Sequence, residues 1–178
     1  WCAVQNNGIF GMDEKGRVIA HPTSPEGTSL IYRDKGGNYW IGTNGALYAY
    51  NPLTGSAQKK ASVIKGQCNA MTDDGKGHLI FSLFGEGICV YDNSTGDVKR
   101  YSMRAEDSPR GRLHNDWVSN FYTDSRGIIW ICTASGINCY DPVGDHFHPY
   151  GWDVLLDYNA IQAVCETRDH RFLIGTIT

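Results

Sequence analysis

The chain has 178 residues, 41% of them hydrophobic, and a net charge of −3 with acidic and basic residues interspersed. That is enough apolar material for a buried core, and the lack of any apolar run of about eighteen residues excludes a membrane-spanning helix. Lys59-Lys60 and Lys99-Arg100 are the only adjacent basic pairs, so no basic stripe marks a nucleic-acid partner.

Trp1 opens the chain and no charged-then-apolar leader precedes the first pattern, so the sequence reads as a piece of something longer. One phrase then returns along its length: Asp-x-x-Gly, a short apolar burst centred on Trp, a small-residue turn, and a Tyr-Asp/Asn-Pro ending. Trp1-Cys2-Ala3-Val4 enters in mid-phrase. Asp34-Lys35-Gly36-Gly37-Asn38-Tyr39-Trp40-Ile41-Gly42-Thr43, closed by Tyr50-Asn51-Pro52, is the first full copy. A second runs from Asp74 through Ile80-Phe81-Ser82-Leu83 to Tyr91-Asp92, with Ile80 in the Trp slot. The third is Asp124-Ser125-Arg126-Gly127-Ile128-Ile129-Trp130-Ile131-Cys132-Thr133, closed by Tyr140-Asp141-Pro142, and Phe172-Leu173-Ile174-Gly175-Thr176 leaves in mid-phrase. Trp1, Trp40, Ile80, Trp130 and Leu173 are separated by steps of 39, 40, 50 and 43 residues. A period near forty built of short strands predicts an all-β fold of four-stranded β-propeller blades. The units fall at about residues 1–29, 30–69, 70–116, 117–159 and a partial 160–178.

The best unit shows how the phrase becomes a blade. Trp117 to Tyr122 is predicted as the first strand, Ile128 to Thr133 as the second, Ile137 to Tyr140 as the third and His146 to Tyr150 as the fourth. In the Asp124 turn the carboxylate accepts backbone hydrogen bonds and Gly127 supplies a positive φ. The second strand is almost continuously apolar and should lie between blades, with its Trp against the next sheet. Strand parity puts the Asp-x-x-Gly and Tyr-Asp-Pro turns on one face. The opposite face carries Asn6-Asn7, Asn44, Phe84-Gly85-Glu86, Ala134-Ser135 and the irregular interblade stretches, and irregular loops on a rigid scaffold are where binding resides.

The six cysteines, Cys2, Cys68, Cys89, Cys132, Cys139 and Cys165, form no Cys-x-x-Cys pair. Their strand-like positions suit small buried hydrophobes, with a disulfide open only in an oxidising compartment. Two interblade stretches stand out. Met103 to Asp116 makes the long step, and Gly151 to Asn159 is rich in aromatic and aliphatic residues. Together they supply Arg110, Arg112, His114, Asp116, Trp152 and Tyr158, planar surface beside hydrogen-bonding groups that suits a sugar or a protein partner. Trp152 and Leu155 could equally pack down on the next blade.

The phrase Asp-x-x-Gly-x-x-Trp-Ile-Gly-Thr, with its Tyr-Asp-Pro turn and the lead-in Leu113-His114-Asn115-Asp116-Trp117-Val118, resembles the two-component regulator propeller repeat. The resemblance covers essentially the whole chain and is weakest where Ile80 and Leu173 replace Trp. It implies the periplasmic sensor region of a hybrid two-component histidine kinase of Bacteroides-type bacteria. In that family seven-bladed propellers respond to polysaccharide-derived oligosaccharides and control transcription of the genes that use them. About four blades then make an open arc of a larger propeller whose exposed edges favour self-association, alongside the parent's other blades and domains. The ligand contacts expected on the loop face are Glu86, His114, Asp116, Trp117 and Trp152, with no cofactor and no direct membrane insertion. Trp117 could instead belong to the core.

A propeller hydrolase or lyase would have to draw on Asp116, Glu86, His114 and His148. No nucleophile elbow, His-Glu-x-x-His pair or phosphate-binding glycine loop gathers them. His146 and His148 alternate on one side of a strand but lack an identifiable third ligand. A protein-interaction propeller is the other alternative; it fits the cysteines but not the regulator phrase.

Overall fold

The computed structural model describes residues 2–4, 8–20, 24–63, 66–104, 113–148 and 160–177. These form antiparallel sheets in which each strand pairs with its sequence neighbour, the up-and-down order of propeller blades. The first sheet holds β1 (Cys2–Val4), β2 (Gly8–Met12) and β3 (Val18–Ala20), and the second holds β4 (Leu30–Arg33), β5 (Tyr39–Gly42), β6 (Ala46–Asn51) and β7 (Ser56–Ser62). A third contains β8 (Cys68–Asp73), β9 (His78–Leu83), β10 (Gly87–Asp92) and β11 (Val98–Tyr101). The fourth contains β12 (Val118–Thr123), β13 (Ile129–Thr133), β14 (Gly136–Asp141) and β15 (His146–His148), and β16 (Ala160–Glu166) pairs with β17 (Phe172–Ile177). Among the described residues no helix is long and apolar enough to cross a membrane. The chain divides into two compact units, Trp1–Asn69 and Ala70–Thr178.

The Asp-x-x-Gly turns at Asp34, Asp74 and Asp124 each close a first-to-second hairpin, and the carboxylate does more than form the turn. Asp124 Oδ1 accepts the Arg126 and Ile128 amides at 2.9 and 3.0 Å, while Oδ2 accepts the Trp130 indole N–H at 3.0 Å. Asp34 repeats the arrangement, taking the Asn38 amide at 2.7 Å and the Trp40 indole at 2.8 Å. The recurring Asp and Trp are therefore one latch, which satisfies the polar edge of a ring buried between sheets. Where Ile80 replaces Trp, Asp74 instead holds His78 Nδ1 at 2.7 Å, so the carboxylate keeps a ring nitrogen as partner.

Burial follows the apolar runs of the inner strands, which are covered on both faces. All of β13 is buried, and Trp130 joins Cys132, Ile137, Cys139, Ile161 and Val164 in a core between neighbouring sheets. Phe172 lies on the Trp130 ring at a centroid distance of 4.3 Å. A second core between β8–β11 and β12–β15 includes Ile80, Ile88, Val118, Ile131 and Tyr140. In the other unit Ile9, Ile41 and Tyr50 do the same work. Register shifts at Ser119 and Gln162 let β12 bond across to β16: the Ser119 hydroxyl donates to Ile161 O at 2.7 Å and Asn120 Nδ2 to Gln162 O at 3.4 Å.

Cys68, Cys89, Cys132, Cys139 and Cys165 are not joined in disulfides, and the first four of them are buried. Burial pushes the Cys89, Cys132 and Cys139 thiols up to about 12, which makes them inert hydrophobes at neutral pH. The first strand of the fourth sheet starts at Val118 rather than Trp117, because the Trp117 carbonyl is drawn off to the Ala134 amide at 2.9 Å.

Candidate functional site

Within Ala70–Thr178 the β9–β10 turn and the segment leading into β12 meet on one face. Gly87 N donates to Asp116 O at 3.1 Å, and Ala134 N of the β13–β14 turn donates to Trp117 O. Residues 84–86, 114–117 and 134–135 therefore form one loop surface, the grouping that strand parity predicts.

Of the expected contacts, Glu86 and Trp117 lie on this surface. Trp117 is 52% exposed, so it is not a core residue. Its ring meets Phe84, itself 50% exposed, edge-on at 4.6 Å between centroids and 61° between planes. Glu86 pairs with Arg100, whose guanidinium also donates to Glu86 O through Nε at 3.2 Å and Nη2 at 3.0 Å. His114 is exposed and its amide donates to Asn138 Oδ1 at 3.0 Å. Asp116 is only 5% exposed, and its carboxylate accepts the Met103 amide at 2.6 Å. That bond secures the chain leaving β11, so Asp116 shapes the surface from beneath. Trp152, with Arg110, Arg112 and Tyr158, lies outside the described residues, as does the side chain of His148.

Phe84, Arg100 and Asn115 were not singled out as contacts from sequence. Asn115 Oδ1 accepts the Trp117 amide at 2.7 Å and Nδ2 donates to Ser135 Oγ at 3.1 Å, which locks the lead-in to β12. A signal for Phe84 was present. The second-to-third turns of β4–β7 and β12–β15 have two residues, 44–45 and 134–135, whereas this one has three and begins with a large aromatic. Gly87 permits the tighter approach: it has φ +83°, and a Cβ there would stand 2.2 Å from Tyr101 O.

The opposite, turn-bearing end differs in character. In Trp1–Asn69 a hollow of about 460 Å³ lies beside Asn38, Tyr39, Asn51, Leu53 and Gln58. Two of its amides are already used in turns, Asn38 Nδ2 donating to Asp34 at 3.0 Å and Asn51 Oδ1 accepting from the Leu53 amide at 2.9 Å. In the other unit Asp145 accepts Tyr140 OH at 2.8 Å, Lys99 Nζ at 2.7 Å and the Tyr101 hydroxyl, and so staples β10–β11 to the β14–β15 turn. Among the described residues no group of three or more His, Cys, Asp or Glu is placed to hold a metal ion. The loop surface can stack a ring and exchange hydrogen bonds.

Comparison with known proteins reaches this same stretch of chain. Residues 112–135 match the family described as two component regulator propeller. The matched repeat runs from the lead-in that carries Asn115, Asp116 and Trp117 to the β13–β14 turn. No curated protein matches the chain. Among solved structures, the extracellular domain assigned to the hybrid two component system BT3049 of B. thetaiotaomicron aligns over 98% of this chain at 19% identity and a TM-score of 0.69. That of BT4673 from the same organism aligns over 94% at 19% identity and 0.66. Virginiamycin B lyase from Staphylococcus aureus aligns over 92% at 12% identity and 0.65, covering 54% of that chain. These likenesses establish β-propeller blades. The chain spans about a quarter of the length of the two B. thetaiotaomicron domains.

Proposed function

We propose that this chain is a ligand-sensing propeller segment of the periplasmic region of a hybrid two-component sensor. Its ligands are oligosaccharides released from polysaccharides, and its output is transcription of the genes that use them. The observation that carries the reading is the regulator-propeller match at residues 112–135, which falls on the repeat that builds the loop surface. Alignment of nearly the whole chain with two extracellular domains assigned to hybrid two component systems supports it.

The segment binds and does not catalyse in this reading. The two loop-face carboxylates are already engaged, Asp116 with the Met103 amide and Glu86 with Arg100. Ligand contacts come from the loop face, with Glu86, His114, Trp117 and Trp152 as the contacting groups and Asp116 as their support. The remaining blades and domains of the parent are its standing partners, and the exposed apolar residues Leu173 and Ile177 of β17 favour self-association of the isolated chain.

Calorimetric titration of the intact protein with defined oligosaccharides, repeated with this chain alone, tests the reading. Binding by both places the sensory contacts on these blades. Binding by the intact protein alone makes the segment scaffold, and binding by neither favours a protein-interaction propeller. Light scattering that finds only monomer would remove the self-association.

A further inference from the structure

We propose that Phe84 and Trp117 together form a stacking platform for one pyranose ring, with the Glu86–Arg100 pair as its polar rim. The inference deepens the oligosaccharide-sensing reading and rests on it. Two large aromatic side chains from different sheets stand half exposed against each other, outside both apolar cores of their unit. The blade fold does not call for either. At the position of Trp117 the blade β4–β7 has Gly27, whose carbonyl accepts Asn44 N at 3.2 Å as Trp117 O accepts Ala134 N. At the position of Phe84 the sister turns place Asn44 and Ala134.

The platform is also held in place before anything binds. Trp117 is pinned through both backbone groups, its N–H on Asn115 Oδ1 and its carbonyl on Ala134 N. Asn115 is in turn fixed to Ser135, and Asp116 is buried with its carboxylate on the Met103 amide and its carbonyl on Gly87 N. On the other side Glu86 N closes the turn onto Leu83 O at 2.9 Å, and a Cβ on Gly85 would stand 3.8 Å from the Trp117 indole nitrogen. Rings held this way lose little freedom on binding, which favours affinity.

Size and chemistry select the occupant. Two half-exposed rings offer roughly 200 Å² of apolar surface, well short of the ~800 Å² per partner of a stable protein interface. Set at 61° to each other they make a corner that fits one saturated ring, whose axial C–H groups meet an electron-rich aromatic face. The Glu86 and Arg100 side chains, 37% and 40% exposed, supply an acceptor and donors for equatorial hydroxyls.

The test is titration of the intact protein with linear gluco-, xylo-, manno- and galacto-oligosaccharides, using wild type, Phe84→Ala, Trp117→Ala and Trp117→Phe. With the probe that wild type binds, Trp117→Ala should weaken binding about tenfold. Phe84→Ala should weaken it less, and Trp117→Phe should restore most of the loss. The Trp117 indole N–H resonance should shift on titration, a response that a distant structural role would not give. Undiminished binding by Trp117→Ala with an unmoved indole resonance overturns the platform and leaves the sensing reading intact. Failure of wild type to bind any of the four series overturns both.

Discussion

The blades β4–β7 and β12–β15 are built with the same internal chemistry yet present different surfaces. Each latches a buried Trp to the turn carboxylate six residues earlier, Asp34 to Trp40 and Asp124 to Trp130. Each uses one serine to bond two carbonyls, Ser29 to Gly42 and Cys68, and Ser119 to Cys132 and Ile161. Each closes its second-to-third turn with a threonine hydroxyl, Thr43 on Ala46 O and Thr133 on Gly136 O. Where the lead-in segment meets that turn they diverge, Gly27 in one and Trp117 in the other. Repeated features thus account for the scaffold, and a departure from the repeat marks the surface that is particular to one blade.

The sharpest way to break this distinction uses two tryptophans. Trp130 is 1% exposed and latched, so Trp130→Ala should cost about 3–5 kcal/mol in urea denaturation, through lost burial and the cavity left behind. Trp117→Ala should cost no more than about 1 kcal/mol, because the ring is half in water already. Equal losses would mean that Trp117 is scaffold after all. Gly87→Ala comes next, at about 2–4 kcal/mol, since it combines a positive φ with a Cβ driven into Tyr101 O. Gly127→Ala has a similar φ of +86° but nothing within 4 Å of its Cβ, and should cost only about 1 kcal/mol. Asp124→Ala leaves the Trp130 indole and two amides without their acceptor and should cost about 2–3 kcal/mol. Asp74→Ala should cost less by the same measurement, because its partner His78 is about a third exposed and water can replace the carboxylate.

The blades were legible in the sequence because turn chemistry and apolar bursts are local signals that repeat. Asp-x-x-Gly and the alternation around Trp130 placed the four strands of its blade to within a residue or two at the described ends. The parity of the strands also brought residues 84–86 and 114–117 onto one face. The latch itself was missed. Asp and Trp were read separately, as turn former and core filler, although their fixed spacing in both good copies was visible. Phe84 was named as part of its turn but not as a contact. Its significance lies in meeting Trp117 across two blades, which depends on packing and not on any local pattern. Asp116 shows the reverse: a carboxylate in an irregular loop reads as a contact, and only the fold reveals that it is buried on a backbone amide.

Acid provides the finest comparison of the two latches. Burial pushes the Asp124 carboxyl up, but hydrogen bonds from Arg126, the Trp130 indole and the Ile128 and Arg126 amides outweigh it and hold the group below its ordinary range. Asp34 is likewise pushed up by burial and held down by Trp40 and Asn38. A carboxyl whose pKa is depressed on folding binds its proton more readily in the unfolded chain. Its contribution is therefore complete above the ordinary value of about 4 and is lost as pH falls through the lower folded value. Asp124→Asn removes one such titration while keeping an oxygen for the backbone amides. Stability measured by urea denaturation should then fall less steeply below about pH 4 than in wild type, and Asp34→Asn should flatten the profile in the same direction. Arg126 adds a charge-assisted bond to Asp124 at 2.6 Å, whereas Asp34 is held by the side chains of Asn38 and Trp40, both neutral. The Asp124 substitution should accordingly flatten the profile more, and an equal response would assign the acid sensitivity to the shared indole and amide bonds and not to the arginine.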